Sequence, residues 1–339
     1  MERLPQLLLP WFAENRRELP WRRDREPYHV WLSEVMLQQT RVEAVKPYYE
    51  RFLRKLPTIE ALARAEENDL LKLWEGLGYY SRVRNLQAAA RQICEHYGGS
   101  FPQNDDEILS LSGIGAYTAG AIASICFERP RAAVDGNVLR VLSRYLASDE
   151  PMTSERSKRK LGERLSAVYP EGHCGDFTQA LMELGATVCL PNGAPLCEQC
   201  PLAAVCAAKL TGKQRDYPVK APKKPRRTEH RTVFVLHCGE ELAVCKRPKH
   251  GLLAGLWQLP DVFGELTVQE ALRRAESWGV RPTQIEKTVK REHIFTHVHW
   301  LLTGVYLKCA DRGDLTWVTA EELHEKIGLP TAYRQFLEE

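Results

Sequence analysis

The stretch Leu111-Ser112-Gly113-Ile114-Gly115-Ala116-Tyr117-Thr118-Ala119 closes one run of helically spaced apolar residues and opens another. Two glycines one residue apart permit a tight turn whose backbone N–H groups point outward, beside a helix N-terminus carrying partial positive charge. Such a turn can hold a phosphate without any charged side chain. No strand-like run precedes it and a third glycine is missing, which excludes a dinucleotide-binding turn. Two readings stay open: a helix–hairpin–helix gripping a DNA phosphate, or an ordinary interhelical turn.

On both sides of this hairpin the apolar residues keep helical spacing, in Ile59–Leu73, Asn85–His96, Asp106–Leu111, Thr118–Phe127, Val138–Leu146 and Phe177–Leu184. Little alternates, so residues 1–210 are expected to be mainly α. From Thr211 to Arg231 the composition changes to eight basic residues and three prolines, Pro218, Pro222 and Pro225. Fixed φ and missing N–H groups oppose both helix and central strand there, so residues 211–230 read as an extended basic linker. Beyond it the period shortens. Arg231–Leu236, Leu242–Lys246 and His299–Leu307 are strand-like, and Thr319 with Glu322 three residues on forms a capping box. Residues 231–339 are therefore expected to form an α+β domain.

At 339 residues the chain has room for two domains, and 44% apolar with 27% charged residues is ordinary for a folded, water-soluble protein. No stretch approaches the roughly 18 apolar residues of a membrane span, and Leu7-Leu8-Leu9 is cut by Pro10, a poor secretory core. The chain is expected to be cytoplasmic, nucleoid-associated in a bacterium. A net charge of +3 means that any phosphate-binding surface must come from local clustering. Ten cysteines in such a chain argue for metal or catalytic use over disulfides.

Four of them, Cys189, Cys197, Cys200 and Cys206, fall within 18 residues, separated by turns containing Pro191, Gly193, Pro195 and Pro201. Thiolates so placed can converge on one soft centre, zinc or iron–sulfur, and ligand type alone leaves the metal open. In Trp31–Thr40, read as a helix, Trp31, Glu34, Gln38 and Arg41 share one face. Glu34 is then either a solvated carboxylate or a desolvated one whose raised pKa suits a general acid. Asp135, just before a helix, is either an N-cap or a carboxylate facing developing positive charge. Gly76-Leu77-Gly78-Tyr79-Tyr80 joins flexible glycines to adjacent tyrosines. Either ring could wedge between bases, and Tyr80 is the better candidate for core packing.

Together these residues resemble the helix–hairpin–helix DNA glycosylase superfamily with an iron–sulfur loop, and within it the MutY-type adenine DNA glycosylases. The resemblance runs through Leu19–Arg22, Ser33–Thr40, Gly76–Tyr80, Gly113–Gly115, Val134–Val138, Glu183–Ala186 and the cysteine loop, nearly the whole chain. It implies a six-helix barrel with a cluster lobe, followed by a Nudix-like domain. It also implies a [4Fe–4S] cluster on the four cysteines, and excision of adenine opposite 8-oxoguanine or guanine in double-stranded DNA by a monomer.

By the same resemblance Glu34 protonates the flipped adenine and Asp135 stabilises the oxocarbenium-like sugar or bonds to it transiently. Asn137 and Tyr117 line the sugar site. Trp21, Arg22 and Glu183 line the adenine pocket, Gln39 and Tyr79 fill the stack around 8-oxoguanine, and Gln38 is a further substrate- or DNA-binding residue. Gly113 and Gly115 hold backbone phosphate. Tyr117 stands where the endonuclease III branch carries its Schiff-base lysine, so base removal without strand cleavage is expected. Phe295-Thr296-His297 matches the 8-oxoguanine contact of the Nudix-like domain. The acidic box of hydrolysing Nudix enzymes is missing from Leu272–Gly279, so recognition without nucleotide hydrolysis is expected there.

Three positions depart from the family pattern. The first cysteine gap is seven residues, one longer than the commoner spacing. Ser112 replaces the usual hairpin proline, and Thr296 the usual serine. Two rival readings are a bifunctional glycosylase and lyase of the endonuclease III type, and a non-catalytic module that marks lesions.

Overall fold

The computed structural model describes residues 1–151, 154–219 and 225–338. Twelve α-helices come first: α1 (Leu4–Asn15), α2 (Pro27–Leu37), α3 (Val42–Lys55), α4 (Ile59–Arg64), α5 (Glu67–Leu73), α6 (Ser81–Tyr97), α7 (Asp105–Ser110), α8 (Ala116–Phe127), α9 (Gly136–Leu146), α10 (Glu155–Ser166), α11 (Cys174–Thr187) and α12 (Ala207–Leu210). The strands are β1 (Arg227–Cys238), β2 (Glu241–Lys246), β3 (Trp257–Gln258), β4 (Asp261–Phe263), β5 (Val280–Ile294), β6 (Val298–Arg312) and β7 (Thr316–Val318). With them come α13 (Val268–Glu276), α14 (Ala320–Lys326) and α15 (Thr331–Arg334).

By its internal contacts the chain divides into a first unit, Met1–Arg64 with Arg84–Pro222, and a second, Ala65–Val83 with Lys223–Glu339. Chain order alone would leave Ala65–Val83 in the helical part. The apolar run read as Ile59–Leu73 breaks at Ala65–Glu66 into α4 and α5, and the division falls at that break. Of the expected linker, Lys220, Pro222, Lys223 and Lys224 lie outside the described residues, while Arg227–His230 already belong to β1.

In the first unit α8 is apolar on every side and buried from Thr118 to Ile125, as a helix surrounded by others must be. Gly120 lets it close on the next strand of backbone, since a Cβ there would sit 2.2 Å from the Ala132 carbonyl. The hairpin turn before it holds Gly113 at φ +74°, where a Cβ would also strike the Asn85 side chain at 2.6 Å. Only glycine fits both demands. A second apolar cluster joins α1, α9, α10 and α11 through Leu4, Leu8, Val138, Leu161 and Phe177.

The second unit is built on a seven-stranded mixed sheet of order β3-β2-β1-β6-β5, with β4 on β1 and β7 on β2. β1 runs parallel to β6, and β5 and β6 form a long antiparallel hairpin. Val233 and Val235 face Trp300, Leu302, Tyr333 and Phe336. Phe234 and Leu236 point the other way, to Ala271, Ala275, Val305 and Leu307. Covered on both faces, β1 reads as a continuous apolar run. β5 carries almost no apolar signal because it is an exposed edge strand rich in charge, with register shifts around Pro282.

Candidate active site

A cleft of about 620 Å³ in the first unit gathers Trp21, Arg22, Glu34, Gln38, Gln39, Tyr117, Asp135, Asn137 and Glu183. Helix α2 supplies Glu34, which is 6% exposed. Burial pushes its carboxyl up, and although the Tyr117 hydroxyl pulls the other way, the nearby Asp135 charge adds to the rise and the group reaches about 7. Tyr117, from the first turn of α8, donates its hydroxyl hydrogen to Glu34 Oε2.

Asp135 takes the N-cap position the sequence allowed. It caps α9, accepting the Val138 N–H at 2.7 Å on Oδ1, while Oδ2 accepts Asn137 Nδ2 at 2.8 Å. Burial raises its pKa, and these donors and Arg140 oppose the rise. Arg140 then locks the arrangement by donating to Asn137 Oδ1 at 3.0 Å, to the Gly185 carbonyl at 2.7 Å and to the Cys189 carbonyl at 2.7 Å. Gly185 of α11 is required for this approach, because a Cβ there would meet the Asn137 Cβ at 2.5 Å.

The expected helical face of Trp31, Glu34, Gln38 and Arg41 is cut short. α2 ends at Leu37, Gln39 is left-handed at φ +60°, and Arg41 is the N-cap residue of α3. Gln38 and Gln39 therefore reach the cleft from a turn. A non-glycine residue held there is strained, and such strain clusters at functional sites. Trp31 sits in the core edge-on to Phe101, ring centroids 5.5 Å apart.

On the far wall Glu183 is fully buried between Arg17 Nε at 2.6 Å and Arg22 Nη2 at 2.8 Å. Burial would raise its pKa, but the hydrogen bonds from the two guanidinium groups hold it at about 2. Trp21 packs edge-on against Tyr49, centroids 5.5 Å apart.

Cys189, Cys197, Cys200 and Cys206 line one small cavity of about 30 Å³ with Arg144 and Gln214. None of them is in a disulfide. Arg144 donates to Cys189 Sγ at 3.2 Å and Gln214 to Cys197 Sγ at 3.9 Å. Among the described residues no three Cys, His, Asp or Glu side chains close in as the ligands of a single ion do.

The hairpin presents Gly113 and Gly115 to the first turn of α8, whose N-cap, Gly115, brings no side-chain acceptor for the helix N–H groups. In the second unit Phe295-Thr296-His297 forms the tight connection of β5 and β6, with the Phe295 N–H bonded to the Val298 carbonyl at 2.8 Å. Phe295 packs edge-on against buried Trp300, and Thr296 and His297 are exposed. Of the two tyrosines, Tyr80 is buried at 6% and Tyr79 is 48% exposed and left-handed at φ +48°.

Residues 32–167 match the family profile described as HhH-GPD superfamily base excision DNA repair protein, and residues 232–339 match the NUDIX domain profile. The human adenine DNA glycosylase is 35% identical over 94% of this chain and 70% of its own length. That of Buchnera aphidicola (subspecies Baizongia pistaciae) is 38% identical over 96% of this chain and 93% of its own. The chain belongs to the adenine DNA glycosylase family. A solved thermostable thymine-DNA glycosylase superposes with a TM-score of 0.56 at 30% identity, covering 61% of this chain and 94% of the other. The glycosylase is thus an enzyme of base-excision repair, with a helix–hairpin–helix region followed by a Nudix-like domain. Among its described residues no helix is long and apolar enough to cross a membrane.

Arg17, Arg140, Gln179 and Met182 also line the cleft of the glycosylase, and the sequence reading missed them. For Arg140 a signal existed: it stands three residues after Asn137 on one helix, within side-chain reach. Arg17 offered none, since its partner Glu183 lies 166 residues away.

Proposed function

We propose that this adenine glycosylase excises adenine paired with 8-oxoguanine or guanine, without a lyase step. The observation that carries the mechanism is the pairing of a buried Glu34, whose pKa of about 7 keeps much of it protonated at neutral pH, with a capped and oriented Asp135. An extruded adenine enters the cleft. Glu34 passes its proton to a ring nitrogen of the base, so the glycosidic bond breaks with a neutral leaving group. Asp135, held by Val138 and Asn137, faces the cationic sugar and stabilises it or bonds to it until water completes hydrolysis. Tyr117 orients Glu34, and its phenol forms no imine with the sugar, which supports a monofunctional reaction. Trp21, Arg22 and Glu183 wall the base site, with Gln38 at its edge.

In the second unit Thr296 and His297, exposed beside Phe295, are proposed to read 8-oxoguanine, with Tyr79 stacking on it. In the first unit Gln39, at the cleft, is proposed to contact DNA. Gly113 and Gly115 are proposed to bind backbone phosphate at the start of α8. The donor set on the cysteine loop fits a [4Fe–4S] cluster. Cys189, Cys197, Cys200 and Cys206 line one cavity, and four cysteine sulfurs are the ligand set such a cluster takes. Cys189, Cys197, Cys200 and Cys206 would hold it, and its contribution when bound is structural, tying the loop to α9 through Arg144. The Nudix-like domain is proposed to recognise the lesion without hydrolysing nucleotides.

The test is single-turnover adenine release from adenine:8-oxoguanine and adenine:guanine duplexes, run with borohydride trapping, iron analysis and an absorption spectrum. Release favouring 8-oxoguanine, no trapped adduct and about four irons per chain are expected. A borohydride-trapped adduct would overturn the monofunctional reading, and absence of release from either duplex would overturn the whole.

A further inference from the structure

Glu75 lies just beyond the C-terminal end of α5, its side chain only 9% exposed. Its carboxylate accepts the Leu329 N–H at 2.8 Å, pairs with Lys72 Nζ at 2.8 Å and meets the Arg334 guanidinium. Lys72 Nζ donates in addition to the Ile327 carbonyl at 3.0 Å. One acid and one lysine thus tie the end of α5 to the segment joining α14 and α15.

The next residues are the turn that carries Tyr79. Gly76, Gly78 and Tyr79 all have positive φ, +96°, +69° and +48°. The Tyr79 hydroxyl lies 2.6 Å from Thr296 Oγ1. Beneath the turn Trp74 Nε1 donates to the Gly78 carbonyl at 3.1 Å, and Arg82 Nη2 donates to the Leu77 and Gly78 carbonyls at 2.9 and 3.1 Å. A tyrosine in the left-handed region is strained and persists only where its surroundings over-determine it. Here the turn is held from below by Trp74 and Arg82, at its tip by Thr296, and at its root by Glu75.

We propose that Glu75, through Lys72, Arg334 and Leu329, is a positioning residue that fixes the Gly76–Tyr79 turn against Thr296, so that lesion recognition depends on it and bond cleavage does not. This rests on the reading of Tyr79 and Thr296 as contacts to 8-oxoguanine. Taking away the carboxylate leaves two cations facing one another and frees the Leu329 N–H. The strained turn then relaxes, and Tyr79 no longer presents its ring at a fixed place. Glu75→Gln keeps an acceptor for Leu329 but loses both ion pairs, and an intermediate effect is expected.

The experiment uses full-length, iron-loaded protein and a duplex with a non-cleavable 2′-fluoro-adenosine opposite 8-oxoguanine or guanine, with 2-aminopurine beside the lesion to report wedging. Glu75→Ala is expected to weaken binding to the 8-oxoguanine duplex about ten- to hundredfold, the scale of one lost base–aromatic stack, and to abolish the 2-aminopurine signal. The guanine duplex should lose less, and single-turnover release at saturating enzyme should stay within about twofold of wild type. In a Tyr79→Ala background the same substitution should add nothing, because coupled residues are non-additive. Additive losses, equal losses on both duplexes, or a slower cleavage step would each overturn the proposal.

Should Glu75→Ala fail to fold, Arg334→Ala at the more exposed partner carries the same arms. If Tyr79→Ala by itself leaves recognition intact, the reading of Tyr79 falls, and amide exchange across residues 76–80 then judges the clamp. Faster exchange in Glu75→Ala supports it, and unchanged protection refutes it.

Discussion

Replacing Tyr117 with Phe removes one hydrogen bond from a buried carboxyl and leaves the ring in place. Burial and the Asp135 charge push Glu34 up, while the Tyr117 hydroxyl and Arg22 pull it down, with the balance at about 7. A hydrogen bond to a charged group is worth about 1.5–3 kcal/mol, and each pH unit corresponds to about 1.4 kcal/mol. The variant's Glu34 should therefore titrate at about 8 or above. Because the protonated form is the proposed acid, the alkaline limb of adenine release moves upward with it. At pH 8.5 the protonated fraction rises from about 3% to about a quarter, so the rate there, relative to each protein's plateau, rises about eightfold. In the proposed mechanism Asp135 acts ionised, which adds an acid limb, and the two limbs are properties of the coupled pair. The assay is single-turnover release from pH 5.5 to 9.5, normalised to each plateau so that any loss of orientation drops out. An alkaline limb that stays where it was, or moves down, would refute the reasoning. The same raised value has a stability consequence: what the protonated Glu34 contributes is present below pH 4.5 and is lost as pH rises through about 7.

Thr296→Ala removes a hydroxyl bonded to Tyr79 and should lower the preference for 8-oxoguanine over guanine about fivefold, the worth of one neutral hydrogen bond, while release from either duplex at saturating enzyme is spared; competition between the two duplexes measures it. Glu183→Gln strands Arg22 and Arg17 beside a neutral amide. With Glu183 depressed to about 2, urea unfolding at pH 7 should register a loss of about 3 kcal/mol, an effect present above pH 4.5 that shrinks as pH falls toward 2. Gly185→Ala places a Cβ 2.5 Å from that of Asn137, and the forced shift should cost about 1–3 kcal/mol of stability. Adenine release should slow at least about tenfold, and normal single-turnover kinetics would remove Gly185 from the positioning of Asn137.

Local chemistry was the legible part of this chain. The glycine spacing of the hairpin, the cap position of Asp135 and the four clustered cysteines are short-range patterns, and the structure places each as a short-range feature. The strand core at Arg231–Leu236 was legible because β1 is covered on both faces, whereas edge strand β5 exposes its charges and lacks the alternation that reveals a half-buried strand. Helix α2 was read three residues too long, since nothing in Gln38-Gln39-Thr40 forbids helix and the left-handed Gln39 is imposed by its surroundings. For Glu34 the sequence leaves burial as an alternative, because the residues that share its cleft, Tyr117 and Asp135 among them, lie far away in the chain. The Arg17–Glu183 pair and the grouping of Ala65–Val83 with the second unit are properties of tertiary packing, which no local window contains.

In the proposed mechanism two buried carboxyls divide the labour, one giving a proton and the other facing the cation. Single-turnover adenine release from an adenine:8-oxoguanine duplex by wild type, Glu34→Gln and Asp135→Asn tests it most directly. Both variants should stay folded and bind the duplex yet release adenine about 10²- to 10⁴-fold more slowly, with the alkaline limb near pH 7 absent from Glu34→Gln. Release by either variant at the wild-type rate would contradict the account.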